Sequence, residues 1–190
     1  MAVLCNDPNR AERINQFALV QYIPEPLGGF LDRQRQRLVP SCHFRSHVTI
    51  LPPRPIQCTV EDALQYLERQ IDHCPAFELT LGEVETFPVT SVIYLGLGSG
   101  RDQIVQMHED MNTECLAYKE PFPFHPHVTL AQEFPLETVE SLASSAREEW
   151  RKMPYNRSFP IDTLTFVQRT VENTWVNLAE YHLKMAVASR

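Results

Sequence analysis

The chain has 190 residues, 43% of them hydrophobic and 22% charged, enough to bury a sizeable core in one domain or two small lobes. A formal net charge of −7 excludes a protein that coats long nucleic acid through many phosphate contacts, because that mode needs a basic surface. No apolar run is long enough to cross a bilayer, and the opening MAVLCNDPNRAER lacks the apolar centre of a signal peptide, so the expectation is a cytoplasmic protein without membrane contact. Five cysteines (Cys5, Cys42, Cys58, Cys74 and Cys115) are scattered without a C-x-x-C pair, which predicts reduced thiols instead of a disulfide framework or zinc knuckle. Charge is uneven: residues 1–60 carry +3, leaving −10 for the remainder.

Residues 17–23, FALVQYI, are rich in β-formers and stop at Pro24, which predicts a first strand. After Gly28-Gly29, the segment FLDRQRQRLV predicts a short helix closed by Pro40. Its Arg33, Arg35 and Arg37 belong either to a solvated face or to a local phosphate pocket. Residues 42–51 predict a strand ended by Pro52-Pro53. Thr59 has the character of an N-cap, with Asp62 three residues on. The helix that follows has Val60, Ala63, Leu64, Leu67 and Ile71 at helical spacing and stops at Pro75. Phe77, Leu79 and Leu81 then alternate in a strand that runs toward Pro88.

The second half replays this order. Residues 92–97, VIYLGL, predict a strand; Ser99 with Asp102 opens a helix presenting Ile104, Met107, His108, Met111 and Cys115. A strand with His127 comes next, then a helix with Val139, Leu142, Ala143, Ala146 and Trp150 on one stripe, then a strand over 159–167. A last strand over 174–179 returns through a turn at Glu172-Asn173. The offsets are nearly constant: 75 residues from Phe17 to Val92, 80 from His47 to His127 and 82 from Phe77 to Phe159. The expectation is an α+β fold with two similar antiparallel sheets, helices on their outer faces and a central cleft.

The repeat carries chemistry at one place in each half. His47-Val48-Thr49-Ile50 returns as His127-Val128-Thr129-Leu130. In an extended strand the His and Thr point one way and the apolar pair the other, so each copy is a reactive edge on an apolar backing. Two histidines, each with a hydroxyl two residues on, can supply general acid and base to a group with negatively charged oxygens. For a single copy, a hydrogen-bonded core histidine with a Thr chosen for β-propensity would explain as much. Two copies in matching contexts argue against that.

Two H-x-T-hydrophobic motifs half a chain apart, each on a strand between helices, resemble the two-histidine (2H) phosphoesterase superfamily, and within it the LigT-like branch of 2′-5′ RNA ligases and RNA 2′,3′-cyclic phosphodiesterases. The resemblance spans essentially the whole chain. It implies a bilobal fold, a single domain over residues 1–190 with its repeat roughly at 14–88 and 89–180. It also implies cofactor-free, metal-independent chemistry at a 2′,3′-cyclic phosphate or 2′-5′ phosphodiester of an RNA end or small nucleotide. Carried over by position, His47 and His127 are the acid/base pair, and Thr49 and Thr129 the phosphate-oxygen donors. The expected partner is a nucleotide or RNA end carrying a cyclic phosphate, met by a monomer.

The chain departs from that pattern where many members of the branch place a Lys or Arg just after the motif: here Ile50-Leu51-Pro52-Pro53 and Ala131-Gln132 follow. Arg45, on the same strand face as His47, is the first substitute for the missing cation, and Arg54 the second. His43 and His125 share the motif faces and are expected to meet substrate. H-x-H on a strand is also a zinc-ligand pattern, but apart from Glu133 no Asp, Glu or Cys stands at a matching place, so no metal is assigned. His73, His108 and His182 receive no role. Tyr22 and Phe124 are aromatics that could stack on a base. The alternative to an enzyme is a module that recognises a phosphorylated nucleotide without turning it over.

Overall fold

A computed structural model describes residues 12–87 and 90–184, so Cys5 and the stretch around Pro88 fall outside the described residues. Among the described residues, two four-stranded antiparallel sheets carry four α-helices. Sheet one has the order β2 (His47–Arg54), β1 (Arg13–Tyr22), β7 (Thr163–Thr170), β8 (Trp175–His182). Sheet two has the order β5 (Val128–Ala131), β4 (Ile93–Leu97), β3 (Phe77–Thr86), β6 (Ser158–Ile161). Both motif strands are therefore edge strands, and β2 and β5 approach each other where the sheets meet.

The helices are α1 (Leu27–Leu38), α2 (Val60–Ile71), α3 (Arg101–Met111) and α4 (Val139–Lys152). They are exchanged across the junction: α1, which leads into β2, packs against β5, and α3, which leads toward β5, packs against β2. One apolar core runs through both sheets, from Leu19, Val48 and Ile50 to Leu95, Val128 and Trp150. α1 starts with Gly28 and Gly29 inside its first turn. A Cβ at position 28 would sit 2.2 Å from the Ile23 carbonyl oxygen, so only glycine lets the helix turn back this tightly on β1.

Several boundaries differ from the sequence reading, each for a local reason. β2 begins at His47 and continues through Pro52-Pro53 to Arg54; an edge strand does not need every amide, and Arg54 still pairs with Phe17. The single strand expected over 159–167 is two: β6 joins β3 in sheet two, and after Asp162 β7 joins β1 in sheet one. Thr59 caps α2 as read, its Oγ1 accepting from the Asp62 amide at 3.1 Å and donating to the Asp62 carboxylate at 2.8 Å. Ser99 does not cap α3, because its hydroxyl bonds to Thr80 at 2.8 Å; Gly100, at φ +86°, takes the cap position. α3 stops at Met111, which leaves Cys115 in a short 3-10 turn. The β7–β8 turn has Asn173 at φ +61°, a conformation that asparagine tolerates.

Candidate active site

The alternation expected of the motifs is present. Val48, Ile50, Val128 and Leu130 are fully buried, while His47, Thr49, His127 and Thr129 are half-exposed. His47 opens β2 opposite Tyr22; His127 lies immediately before β5, whose Thr129 is opposite Tyr94. Each histidine therefore meets a tyrosine of the neighbouring strand: ring centroids are 6.3 Å apart for Tyr22 and His47, and 5.1 Å for Tyr94 and His127.

The two imidazoles are oriented alike. Nδ1 of His47 donates to the Arg45 carbonyl at 2.7 Å, and Nδ1 of His127 to the His125 carbonyl at 2.6 Å. A carbonyl oxygen can only accept, so in the neutral ring Nδ1 carries the hydrogen and Nε2 keeps its lone pair. Burial pushes the His47 imidazole from 6.5 down to about 4; the Arg45 carbonyl opposes this, and the Arg35 and His127 charges add to it. His127 is also lowered, by burial first, with the His125 carbonyl opposing and the His125 charge adding. Both rings are therefore harder to protonate than a free imidazole.

The other predicted residues are placed unevenly. Arg45 precedes β2, and its guanidinium lies 4.1 Å over the Tyr22 ring, beside His47. His125 packs edge-on against Phe87 and Tyr94, at 5.4 and 5.5 Å. His43 is exposed in the coil before β2, so the expected run of His43, Arg45, His47 and Thr49 along one strand is shortened to its last two members. Arg54 is not a free cation: it is 1% exposed and its Nη2 is 2.5 Å from Glu120. Tyr22 belongs to the site, whereas Phe124 stacks on His108 at 3.8 Å. Among the described residues, no group of three or more His, Cys, Asp or Glu is arranged to hold a metal ion. Surface hollows lined by Gln70, His73 and Asp110, and by Asn15, Ile56 and Thr59, contain no motif residue.

Arg35 is the residue that the sequence reading undervalued. Arg33 and Arg37 are exposed, but Arg35 is 3% exposed and its Nη1 donates to the Thr129 carbonyl at 2.5 Å. α1 thus places a buried positive charge beneath the second motif and near His47 of the first. The exchanged helix α3 makes the matching contact, with His108 Nδ1 bonded to the Ile50 carbonyl at 2.9 Å. A signal existed in the sequence: Leu27, Leu31, Gln34, Arg35 and Leu38 form the buried stripe of α1, and Arg35 falls on that stripe.

Residues 23–173 match the sequence profile of the 2′-5′ RNA ligase superfamily. No curated protein matches the chain by sequence. Among solved structures, the chain resembles Escherichia coli LigT complexed with ATP at 19% identity and a TM-score of 0.62, covering 92% of this chain and 100% of that one. LigT complexed with 3′-AMP gives 18% identity, a TM-score of 0.59 and coverage of 93% and 100%. TT0787 of Thermus thermophilus gives 16%, 0.62, and 90% and 100%. At these identities the likeness is one of fold.

Proposed function

Because the chain belongs to the 2′-5′ RNA ligase superfamily, we propose that it is a metal-independent phosphoesterase that opens a 2′,3′-cyclic phosphate, or cleaves a 2′-5′ phosphodiester, at an RNA end or small nucleotide. The observation that carries this reading is the twin arrangement of His47 and His127: each Nδ1 is tied to a carbonyl two residues back, and each Nε2 is left to accept or give a proton. In the forward reaction His47 Nε2, the harder ring to protonate, takes the proton of the attacking water. As the new P–O bond forms, the bond to one ribose oxygen breaks, and protonated His127 delivers its proton to that oxygen. The products are a phosphomonoester and a free ribose hydroxyl. Thr49 and Thr129 donate to the phosphate oxygens, and Arg35 and Arg45 offset the developing charge. LigT is described with ATP, 3′-AMP and NADP+, which supports a nucleotide-sized ligand here. No described helix is long and apolar enough to cross a membrane, and we propose a monomer acting in the cytoplasm.

The test is hydrolysis of a panel of 2′,3′-cyclic nucleotides with a chelator present throughout, followed against pH. Turnover should persist, since both proton transfers come from imidazoles. The pH dependence has a definite sign. In the free protein the base is protonated and lost below about 4, and the acid is deprotonated and lost above a value that already lies under 6.5. The optimum of kcat/KM is therefore expected between these limits, on the acid side of 6.5. The kcat profile should lie higher in pH, because a bound phosphate favours both imidazolium forms. Loss of activity in chelator that zinc restores would overturn the proposal in favour of a histidine metal site, and binding of the whole panel without turnover would favour a recognition module.

A further inference from the structure

The two motifs divide the proton transfers at the phosphate, but they do not show along which wall of the cleft the rest of a longer substrate would lie. The walls beyond them differ. In sheet two the Tyr94 hydroxyl donates to Glu85 at 3.1 Å, and the other carboxylate oxygen of Glu85 lies where a Cβ on Gly96 would come within 2.6 Å. A carboxylate thus stands on the cleft side of β3 and β4. In sheet one the strand face carrying His47 and Thr49 continues through Tyr22, Val20 and Ala18 on β1, then Val167 on β7, to Trp175 on β8. Ala18, Val20 and Val167 form a separate apolar cluster with Tyr22 and Trp175 packed on it, apart from the main core. Arg45 lies over Tyr22 at one end of this face. Arg169, paired across strands with Trp175 and held by Gln16 at 2.7 Å, lies at the other. Glu180 also stands near Tyr22, so the two arginines outnumber it by one.

We infer that this face of sheet one is a track for single-stranded RNA leading away from the reacting phosphate, with Trp175 stacking on a base and Arg45 and Arg169 meeting the backbone. The inference rests on the proposed phosphoesterase reading and assigns its substrate a length and a direction. Ala18, Val20 and Val167 are buried, and Trp175 packs on them while leaving part of its indole exposed; a ring held rigidly in this way is one on which unpaired bases stack irrespective of sequence. The track is continuous with the motif edge, since Tyr22 pairs with His47 and Val20 with Thr49. Trp175 stands three strands from β2, roughly 14 Å sideways at ordinary strand spacing, and it is also displaced along the strands toward the Phe17 end of β1, so it serves a nucleotide further along the chain than the one carrying the reacting phosphate. Phosphates would be repelled from the opposite wall by Glu85, which fixes the direction.

The experiment compares a mononucleoside 2′,3′-cyclic phosphate with a tetranucleotide RNA ending in the same group. Trp175→Ala should lower kcat/KM for the tetranucleotide relative to the mononucleotide by about 5- to 150-fold, the worth of one base–aromatic stack, and Trp175→Phe should restore most of the ratio. Anisotropy of a fluorescein-tagged tetranucleotide ending in a 3′-phosphate should show the same weakening of binding. A ratio unmoved by Trp175→Ala while the unaltered protein turns over both substrates would overturn the track and leave the phosphoesterase reading standing. Tetranucleotide binding that weakens in Trp175→Ala, in a protein that hydrolyses neither substrate, would keep the track and defeat the catalytic reading. Neither binding nor turnover would overturn both.

Discussion

Replacing His47 or His127 by alanine is expected to lower kcat on a 2′,3′-cyclic phosphate by about 10²–10⁴, the usual worth of a positioned acid or base. Each ring has its Nδ1 fixed by a carbonyl, so alanine removes an oriented Nε2 and not a loosely held side chain. Because one imidazole takes a proton as the other gives one, removing either interrupts the same event. The double variant should then be little slower than the poorer single variant. Steady-state kinetics on the four proteins is sufficient. Full activity in either single variant, or additive losses, would show that the repeat is architectural and the chemistry lies elsewhere. Both side chains keep some solvent exposure, His47 at the start of β2 and His127 just before β5, so the variants should fold and the kinetic loss should not be a loss of structure.

Arg54→Met should produce the largest loss of stability. The guanidinium is fully enclosed: Nη2 meets Glu120 at 2.5 Å, Nη1 meets Asn112 at 2.6 Å and the Leu116 carbonyl at 3.1 Å, and Nε meets the Pro52 carbonyl at 2.9 Å. It ties the end of β2 to the segment that leaves α3 on the way to the second motif. Methionine would strand the Glu120 carboxylate, which is nearly buried and whose other contact of this kind among the described residues is the His108 ring at 3.7 Å. Breaking one side of a buried pair costs about 3–5 kcal/mol, which for a chain of this size is a drop in Tm of roughly 6–20 °C. Adding Glu120→Gln should recover part of the loss, because no full charge is then left unpaired. Thermal denaturation followed by circular dichroism reads both. A fall of a degree or two in the single variant would mean that the network is dispensable.

The motif faces were legible in the sequence because β2 and β5 are edge strands with one buried side. There the alternation of His and Thr with Val, Ile and Leu is enforced by packing and survives as a pattern. The helical stripes of α2 and α4 were legible for the same reason. What was hidden depended on partners distant in the chain. Pro52-Pro53 reads as a stop, yet an edge strand accommodates it and Arg54 beyond it is pulled into the core by Glu120. The run over 159–167 reads as one strand because both pieces are apolar; only the separate pairing with β3 and β1 divides it at Asp162. Arg35 sits in an R-x-R-x-R run that looks solvated, and its burial follows from the packing of α1 on the opposite sheet. That exchange of helices also places the buried Arg35 guanidinium against the backbone of the second motif, at Thr129.

The central claim is that His47 and His127 form one phosphate site, and the most direct measurement is a nuclear magnetic resonance titration of both imidazoles against pH, without and with inorganic phosphate. Without phosphate, both rings should titrate below 6.5, His47 at about 4. With phosphate, a single anion held between them should raise both values together, along one saturation curve, because a nearby negative charge favours each protonated ring. Movement of only one ring, or two curves with different phosphate dependence, would contradict a shared site.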